Sequence, residues 1–371
     1  MNTLIKWPGG KAEEIGHILD LIPEFDRYIE PFFGGGAMFF HLRPDCAVLN
    51  DVSKDLMDFY GLVKAQDTAL RRYLTDYCDL TEGLAGACDA AAEEIHALYR
   101  SVKSGEAGAE ARCAALVGEL FAAIPPAAAE DLVSDAAAFR AQLRASALDK
   151  MRRTVKNDAK SPFSEEDLRE NLVTGFISGS YLYFRDVYNG FLTGRTPVTD
   201  DAYRIANFYF IREYCYGAMF RYNRQGEFNI PYGGMSYNRK NFRGKVQEIF
   251  NPATEALFSG AALYCLDFED FFRTVPLTER DFMFLDPPYD SDFSDYEGNS
   301  FSQMDHIRLA ETLSKTKAQF ILIIKNTDFI ASLYTDAAIS RSFDRAYTYN
   351  VRSRNERKTK HLIITNIPEQ K

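Results

Sequence analysis

The chain of 371 residues has no CxxC pair and no two histidines at metal-ligand spacing. Its cysteines (Cys46, Cys78, Cys88, Cys113, Cys215 and Cys265) are scattered, and histidine is limited to five. A disulfide framework and a bound metal are therefore not expected, and the thiols read as reduced and cytosolic. No apolar run approaches the length of a membrane span, and the first residues, MNTLIK, carry no signal peptide. GxGxxG is absent, and no glycine loop is followed by the Lys-Ser/Thr of a P-loop, so dinucleotide and triphosphate binding are not indicated. What is present is a large apolar fraction, 46%, enough for two domains with sizeable cores.

Net charge is −10, which by itself argues against a polyanionic partner, but the charge is unevenly placed. Residues 79–135 hold 11 acidic and 3 basic side chains, most of the excess. Residues 150–160, 215–245 and 341–360 carry net charges of +4, +5 and +5. Any one such run reads as a solvated surface. Three of them flanking the motifs described next favour a phosphate-binding cleft.

The chain is organised around Asp286-Pro287-Pro288-Tyr289, which follows the apolar run Phe282-Met283-Phe284-Leu285. That run reads as a buried parallel strand, and the two prolines stop it rigidly at its carboxyl edge. Open α/β sheets bind ligands at this edge. A carboxylate (Asp286), an acceptor-only carbonyl (Pro287) and an aromatic ring (Tyr289) are thus fixed within four residues. They suit a planar base with an exocyclic amine, the two acceptors taking its N–H bonds and the ring stacking on its face.

Toward the N-terminus, Lys6-Trp7-Pro8-Gly9-Gly10-Lys11 sets a flat wall beside two cations and two glycines that permit close backbone approach. A helical pattern is expected from Lys11 through Ile15, Ile18, Leu19 and Ile22 to Pro23. Next, a short strand ending at Ile29 or Glu30 runs into Pro31-Phe32-Phe33-Gly34-Gly35-Gly36 and an apolar helix start, an arrangement suited to a nucleotide-like ligand. A second strand, Ala47-Val48-Leu49, ends in Asn50-Asp51. Asp51 lies 17 residues after Gly34, near the spacing at which an acid reaches a ribose hydroxyl; it can also cap the helix that follows.

These stretches, KWPGGK, EPFFGGGAMFF, NDVSKDL and DPPY in this order, resemble the Dam-type DNA adenine-N6 methyltransferases, of the α group of amino-methyltransferases. Arg221-Tyr222-Asn223-Arg224-Gln225-Gly226-Glu227-Phe228-Asn229-Ile230-Pro231-Tyr232-Gly233 is similar to the RYNxxGEFNxPxG segment of their target-recognition domain. Tyr264-Cys265-Leu266-Asp267-Phe268-Glu269-Asp270 is similar to the strand end that holds the cofactor adenine. The likeness spans about 1–64 and 205–366. It implies S-adenosyl-L-methionine as methyl donor and N6 of a flipped-out adenine in double-stranded DNA as acceptor. Trp7, Gly10 and Lys11 would lie at the methionine end of the donor; Glu30, Phe32, Gly34 and Gly36 in its loop; Asp51 at its ribose; Asp267 and Phe268 at its adenine. Asp286, Pro287, Pro288 and Tyr289 would form the catalytic motif, with Asp286 also facing the donor.

The fold implied is an α/β, Rossmann-like class I methyltransferase sheet with an inserted, mainly helical target-recognition domain. Residues 1–65 and 246–371 are expected to form the catalytic domain and 66–245 the insertion. Within it, 82–150 is Ala-rich and acidic, read as scaffolding of two to four helices, and 151–245 is aromatic and basic. Arg221, Asn223, Arg224 and Asn229 are expected to contact DNA because Arg and Asn make bidentate bonds to base edges. Lys6, Arg239, Lys240 and Arg243 are expected on DNA as well, the last three through its backbone. Relatives that methylate GATC carry Arg after the Pro-aromatic-Gly, where this chain has Gly234, so GATC is in doubt. Residues 290–303 read equally as a lid over the flipped base and as a solvated loop. Residues 347–351 and 361–365 read as a closing hairpin. The same chemistry on cytosine N4 or an RNA base, and a non-catalytic DNA-binding relic, are the competing readings. A separately encoded restriction endonuclease as partner is left open, no membrane or metal is expected, and the expected location is the cytoplasm, at the nucleoid.

Overall fold

The computed structural model describes residues 2–8, 15–288, 295–296, 299–334, 338–346 and 358–368. Two 3-10 turns, Ile15–His17 and Leu19–Leu21, come first, followed by β1 (Arg27–Glu30), α1 (Ala37–Leu42), β2 (Ala47–Asn50) and α2 (Lys54–Lys64). Helices follow: α3 (Thr68–Ala90), α4 (Ala92–Ser104), α5 (Ala109–Ala122), α6 (Pro126–Leu132), α7 (Ala136–Asp158), α8 (Glu165–Leu192), α9 (Asp201–Tyr214) and α10 (Phe242–Ile249). The chain continues through α11 (Pro252–Ser259), β3 (Ala261–Tyr264), α12 (Phe268–Thr274) and β4 (Asp281–Leu285). The short β5 (Asp295–Tyr296) and β6 (Asn299–Ser300) lead to α13 (Gln303–Leu313), β7 (Gln319–Lys325), α14 (Asp328–Leu333), β8 (Ala338–Ala346) and β9 (Lys358–Thr365). Backbone contacts divide the chain into two units, Met1–Lys64 with Pro252–Lys371, and Ala65–Asn251.

The first unit is built on a seven-stranded sheet in the order β3-β2-β1-β4-β7-β9-β8. The first five of these pair in parallel, while β9 joins β7, and β8 joins β9, antiparallel. Every residue of β4 is buried, which is why Phe282 to Leu285 is an unbroken apolar run rather than an alternating one. Ile29, Met283, Leu285, Leu322 and Ile324 contribute to one continuous core with Phe268, Phe271 and Leu309 from the covering helices. At the amino end of the sheet, Arg27 clamps Asp281 through two hydrogen bonds of 2.9 and 2.8 Å, which pins the register of β1 on β4. From β1 the chain winds outward through β2 and β3, then returns to the other side of β1 at β4. The order of strands reverses there, and the carboxyl ends of β1 and β4 flank that switch point.

The second unit is a helical bundle. Tyr77 stacks on Phe210 with ring centres 4.5 Å apart, and Phe139 meets Tyr183 edge-on at 5.1 Å. Helices α7 and α8 lie close together: a Cβ at Gly175 or Gly179 would come within 2.9 or 2.7 Å of the α7 backbone at Ala147 or Leu143. After α9 the chain forms an irregular hairpin, bridged at Cys215–Tyr232 and Tyr222–Phe228.

Several sequence expectations are corrected. Ile15 to Leu21 forms two 3-10 turns rather than an α-helix, and Ile22 is extended, as the residue before Pro23 must be. Five helices, not two to four, run through 82–150, and both limits fall inside helices, in α3 and α7. The Ala-rich composition continues helices that begin or end in the flanking sequence, so composition alone misplaces the borders. The first strand of the closing hairpin is Ala338–Ala346; residues 347–351 lie outside the described residues, as do most of 290–300.

Candidate active site

The carboxyl ends of β1, β2, β3 and β4 converge because the strands are parallel and in tight register, with Glu30 opposite Leu49, Asn50 opposite Tyr264 and Ile29 opposite Met283. Asn50 ties three of these ends together. Its Nδ2 donates to the carbonyls of Pro31 and Leu266, both at 3.0 Å, and its Oδ1 accepts from the Leu266 N–H at 3.0 Å. In the sequence Asn50 shows only as the polar residue at the end of β2. An amide able to donate and accept at a strand end is the signal that was available.

The glycine loop is held from three sides. Asp51 accepts the Gly34 N–H on Oδ2 at 2.8 Å and the Ser53 N–H on Oδ1 at 2.9 Å, so it shapes the loop rather than capping α2. The Tyr60 hydroxyl donates to the Gly34 carbonyl at 3.1 Å. Trp7 lies against the loop, its indole 2.8 Å from where a Cβ on Gly34 would stand. Gly36 has φ +67°, and a Cβ there would meet the Phe33 ring at 2.6 Å, so both conformation and space require glycine. Burial raises the Asp51 carboxyl above its ordinary value, against the pull of the N–H groups it accepts.

Glu30 is buried, and the Tyr28 hydroxyl donates to its Oε2 at 2.8 Å. Burial pushes its carboxyl well above the ordinary carboxylate range; the Tyr28 hydrogen bond opposes this, and the nearby Asp286 and Asp51 charges add to it. Glu30, Asp51 and Asp286 therefore form one acidic group around the switch point. Asp286 follows β4 directly and is half-buried, Pro287 is buried and Pro288 half-buried. Phe32 packs on Phe268 with ring centres 5.6 Å apart, and Phe301 meets both at 5.7 Å. Asp267 caps α12 by accepting the Glu269 N–H at 2.9 Å. The structure thus gathers Trp7, Glu30, Phe32, Gly34, Gly36, Asp51, Asp267, Phe268 and Asp286 in one unit. Gly10, Lys11 and Tyr289 lie outside the described residues. Lys6 is half-buried in the same unit.

The residues expected on DNA, Lys6 apart, fall in the other unit and divide into two sets. In the hairpin, Arg221 donates to Asn229 Oδ1 at 2.7 Å, and Asn223 Oδ1 accepts the Gln225 and Glu227 N–H groups at 2.9 and 3.0 Å. Asn223 and Asn229 therefore carry local structure, while Arg224 is exposed at the turn. Past the hairpin, the cations are engaged by carboxylates. Arg239 pairs with Asp89 at 3.0 Å and Glu170 at 2.6 Å, Arg243 with Asp79 at 2.6 Å and Glu82 at 2.7 Å, and Lys240 with the fully buried Glu213. These partners lie on α3, α8 and α9, far away in sequence, so the pairing was invisible before folding. Among the described residues no cluster of three or more His, Cys, Asp or Glu could hold a metal. No single helix among them is long and apolar enough to cross a membrane.

A mostly parallel sheet with a glycine loop after β1, an acid after β2 and DPP after β4 defines a class I methyltransferase fold. The sequence pattern of the D12 class N6 adenine-specific DNA methyltransferases matches residues 7–83 and 151–348, and the chain belongs to that family. It is 25% identical to the type II methyltransferase M.CviBI of Paramecium bursaria Chlorella virus NC1A, over 99% of this chain and all of the relative. Identity is 22% to the type II methyltransferase M1.LlaDCHI of Lactococcus lactis subsp. cremoris, over 99% and 95% of the two chains. It is also 22% to a DNA adenine methylase of Vibrio cholerae, over 88% and 81%. The protein is an adenine-specific DNA methyltransferase acting at N6, which sets aside the cytosine and relic readings.

Proposed function

We propose that the carboxyl edge of the first unit binds S-adenosyl-L-methionine and a flipped-out adenine, and that the hairpin of the second unit reads the target sequence. The observation that carries this is the acidic group Glu30, Asp51 and Asp286 beside a closed glycine loop, with Phe32, Phe268 and a half-exposed Asp267 next to it. That set fits a donor made of a nucleoside and a cationic amino-acid end. Asp51 would face the ribose, Asp267 and Phe268 the adenine, and Trp7 and Lys11 the methionine end.

When bound, S-adenosyl-L-methionine supplies a methyl group on a positively charged sulfur. The rest of the task falls on the protein. The exocyclic amine of adenine is conjugated into its ring and is a poor nucleophile. The Asp286 carboxylate and the Pro287 carbonyl would accept its two hydrogens, favour a tetrahedral nitrogen and stabilise the positive charge that develops there. Both acceptors are fixed by β4 and by the ring constraint of two prolines, so little reorganisation accompanies the reaction. Extracting the base from the duplex costs a few kcal/mol, and stacking on Tyr289, worth about 1–3 kcal/mol, would offset part of it. A separately encoded endonuclease reading the same sequence is the partner to seek, and the substrate would place the enzyme in the cytoplasm at the nucleoid.

Methylation of genomic DNA free of modified adenine, mapped base by base, tests the reading. The expected result is N6-methyladenine in one short sequence, with Asp286→Ala lowering kcat by about 10²–10³-fold. Transfer at wild-type rate by Asp286→Ala would overturn the assignment of Asp286.

A further inference from the structure

Arg308, on α13, belongs to no sequence motif, yet it holds the residues assigned to the donor's adenine. Its Nη1 donates to Asp267 Oδ1 at 3.2 Å and Glu269 Oε2 at 2.5 Å; its Nη2 donates to Asp267 Oδ2 at 3.4 Å and Asp305 Oδ1 at 2.5 Å. The guanidinium also lies over the Phe268 ring, 4.7 Å from its centre. Asp305 is fixed in turn by a capping box with Ser302 at the start of α13. One planar fork therefore spans three carboxylates and one aromatic face.

A carboxylate offers about four acceptor positions. On Asp267, Oδ1 takes the Glu269 N–H and one Arg308 N–H, and Oδ2 takes a second Arg308 N–H. One position stays open on a side chain that is 43% exposed. Without the guanidinium, Asp267, Glu269 and Asp305 would repel one another, and the Asp267 carboxylate would be held only by the Glu269 N–H it accepts. Partly exposed ion pairs contribute little to stability, on the order of 0–1 kcal/mol, so folding alone is a weak reason for this arrangement.

We infer that Arg308 is a positioning residue for the methyl donor: it holds the Asp267 carboxylate with one acceptor free for the exocyclic amine of the donor's adenine, and holds Phe268 as the adjoining wall. The inference rests on the donor reading given above. Phe301, which packs on both Phe268 and Phe32, adds a direct mechanical link from this subsite to the start of α13.

The test uses the full-length protein and isothermal titration with two ligands, S-adenosylhomocysteine and its analogue carrying hypoxanthine in place of adenine. The analogue presents an oxygen where adenine presents the amine. Arg308→Met is expected to weaken S-adenosylhomocysteine about tenfold, the worth of one charge-assisted hydrogen bond, and to change the analogue by less than about twofold. Arg308→Lys, which keeps the charge without the fork, falls between and carries the test should the methionine variant fail to fold. Equal weakening of both ligands, or of neither, overturns the inference. A wild-type protein that binds neither ligand removes the donor reading itself, and the inference with it.

Discussion

Glu30 is 2% exposed, and burial, with the Asp286 and Asp51 charges adding to it and the Tyr28 hydrogen bond opposing it, raises its carboxyl well above the ordinary range. In the unfolded chain the same group releases its proton near pH 4.3. Between that value and its raised value in the folded protein, the folded state binds one proton more than the unfolded state, so stability falls as pH rises. Glu30→Gln removes this dependence while its amide oxygen can still accept the Tyr28 hydroxyl. The variant is expected to melt with wild type near pH 4 and about 2–4 °C above it at pH 8, as followed by calorimetry. A gap that does not change with pH would show that folding leaves the titration of Glu30 unshifted. At this scale the sequence was legible in part. Asp286, Asp51 and Gly34 stand out by position alone, whereas the Tyr28–Glu30 hydrogen bond needs the fold to bury it.

Among the elements, the hairpin after α9, expected to contact DNA, is held together by several of the same side chains. Its turn is built by Asn223 and Gly226, and its arms by Arg221 with Asn229, so three of the four expected contacts are also structural. Gly234 follows with φ 93° and ψ −168°, a region that residues with a Cβ essentially do not occupy. Gly234, whose place in the family pattern put GATC in doubt, is thus tied to its own backbone path. Gly234→Arg is expected to cost about 1–3 kcal/mol in stability and to leave the methylated sequence unchanged. A variant that methylates GATC with unaltered melting would show that the loop adapts freely. The short amino-terminal turns carry the same lesson: apolar spacing suggested a helix, but spacing does not register Gly16 or the restraint imposed by Pro23.

On the scale of the whole molecule, the Ala-rich acidic segment is more than a surface appendage. Residues 84–150 lie outside the family match, yet Phe139, Leu143 and Ala147 of that segment are fully buried against α8. Asp79, Glu82 and Asp89, on the helix that leads into it, pair with Arg239 and Arg243. Net charge by segment suggested a phosphate-binding cleft bordered by three basic runs; folding sets two cations of one run, Arg239 and Arg243, against carboxylates of α3 within one unit. Excising 92–132 is expected to open residues 65–251 to limited proteolysis and to weaken DNA binding by at least 10²-fold. Unchanged protection and affinity would show the segment to be dispensable.

By itself the sequence determined the class of sheet and the order of its strand-end motifs. Those are local properties: apolar run length, proline and glycine placement, and acid spacing act within a few residues of one another. Tertiary structure alone decided that Asn50 ties three strand ends, that Arg308 holds Asp267, and that Arg239, Lys240 and Arg243 meet carboxylates. Each of these joins groups far apart along the chain, where no periodicity or spacing records which side chains will meet.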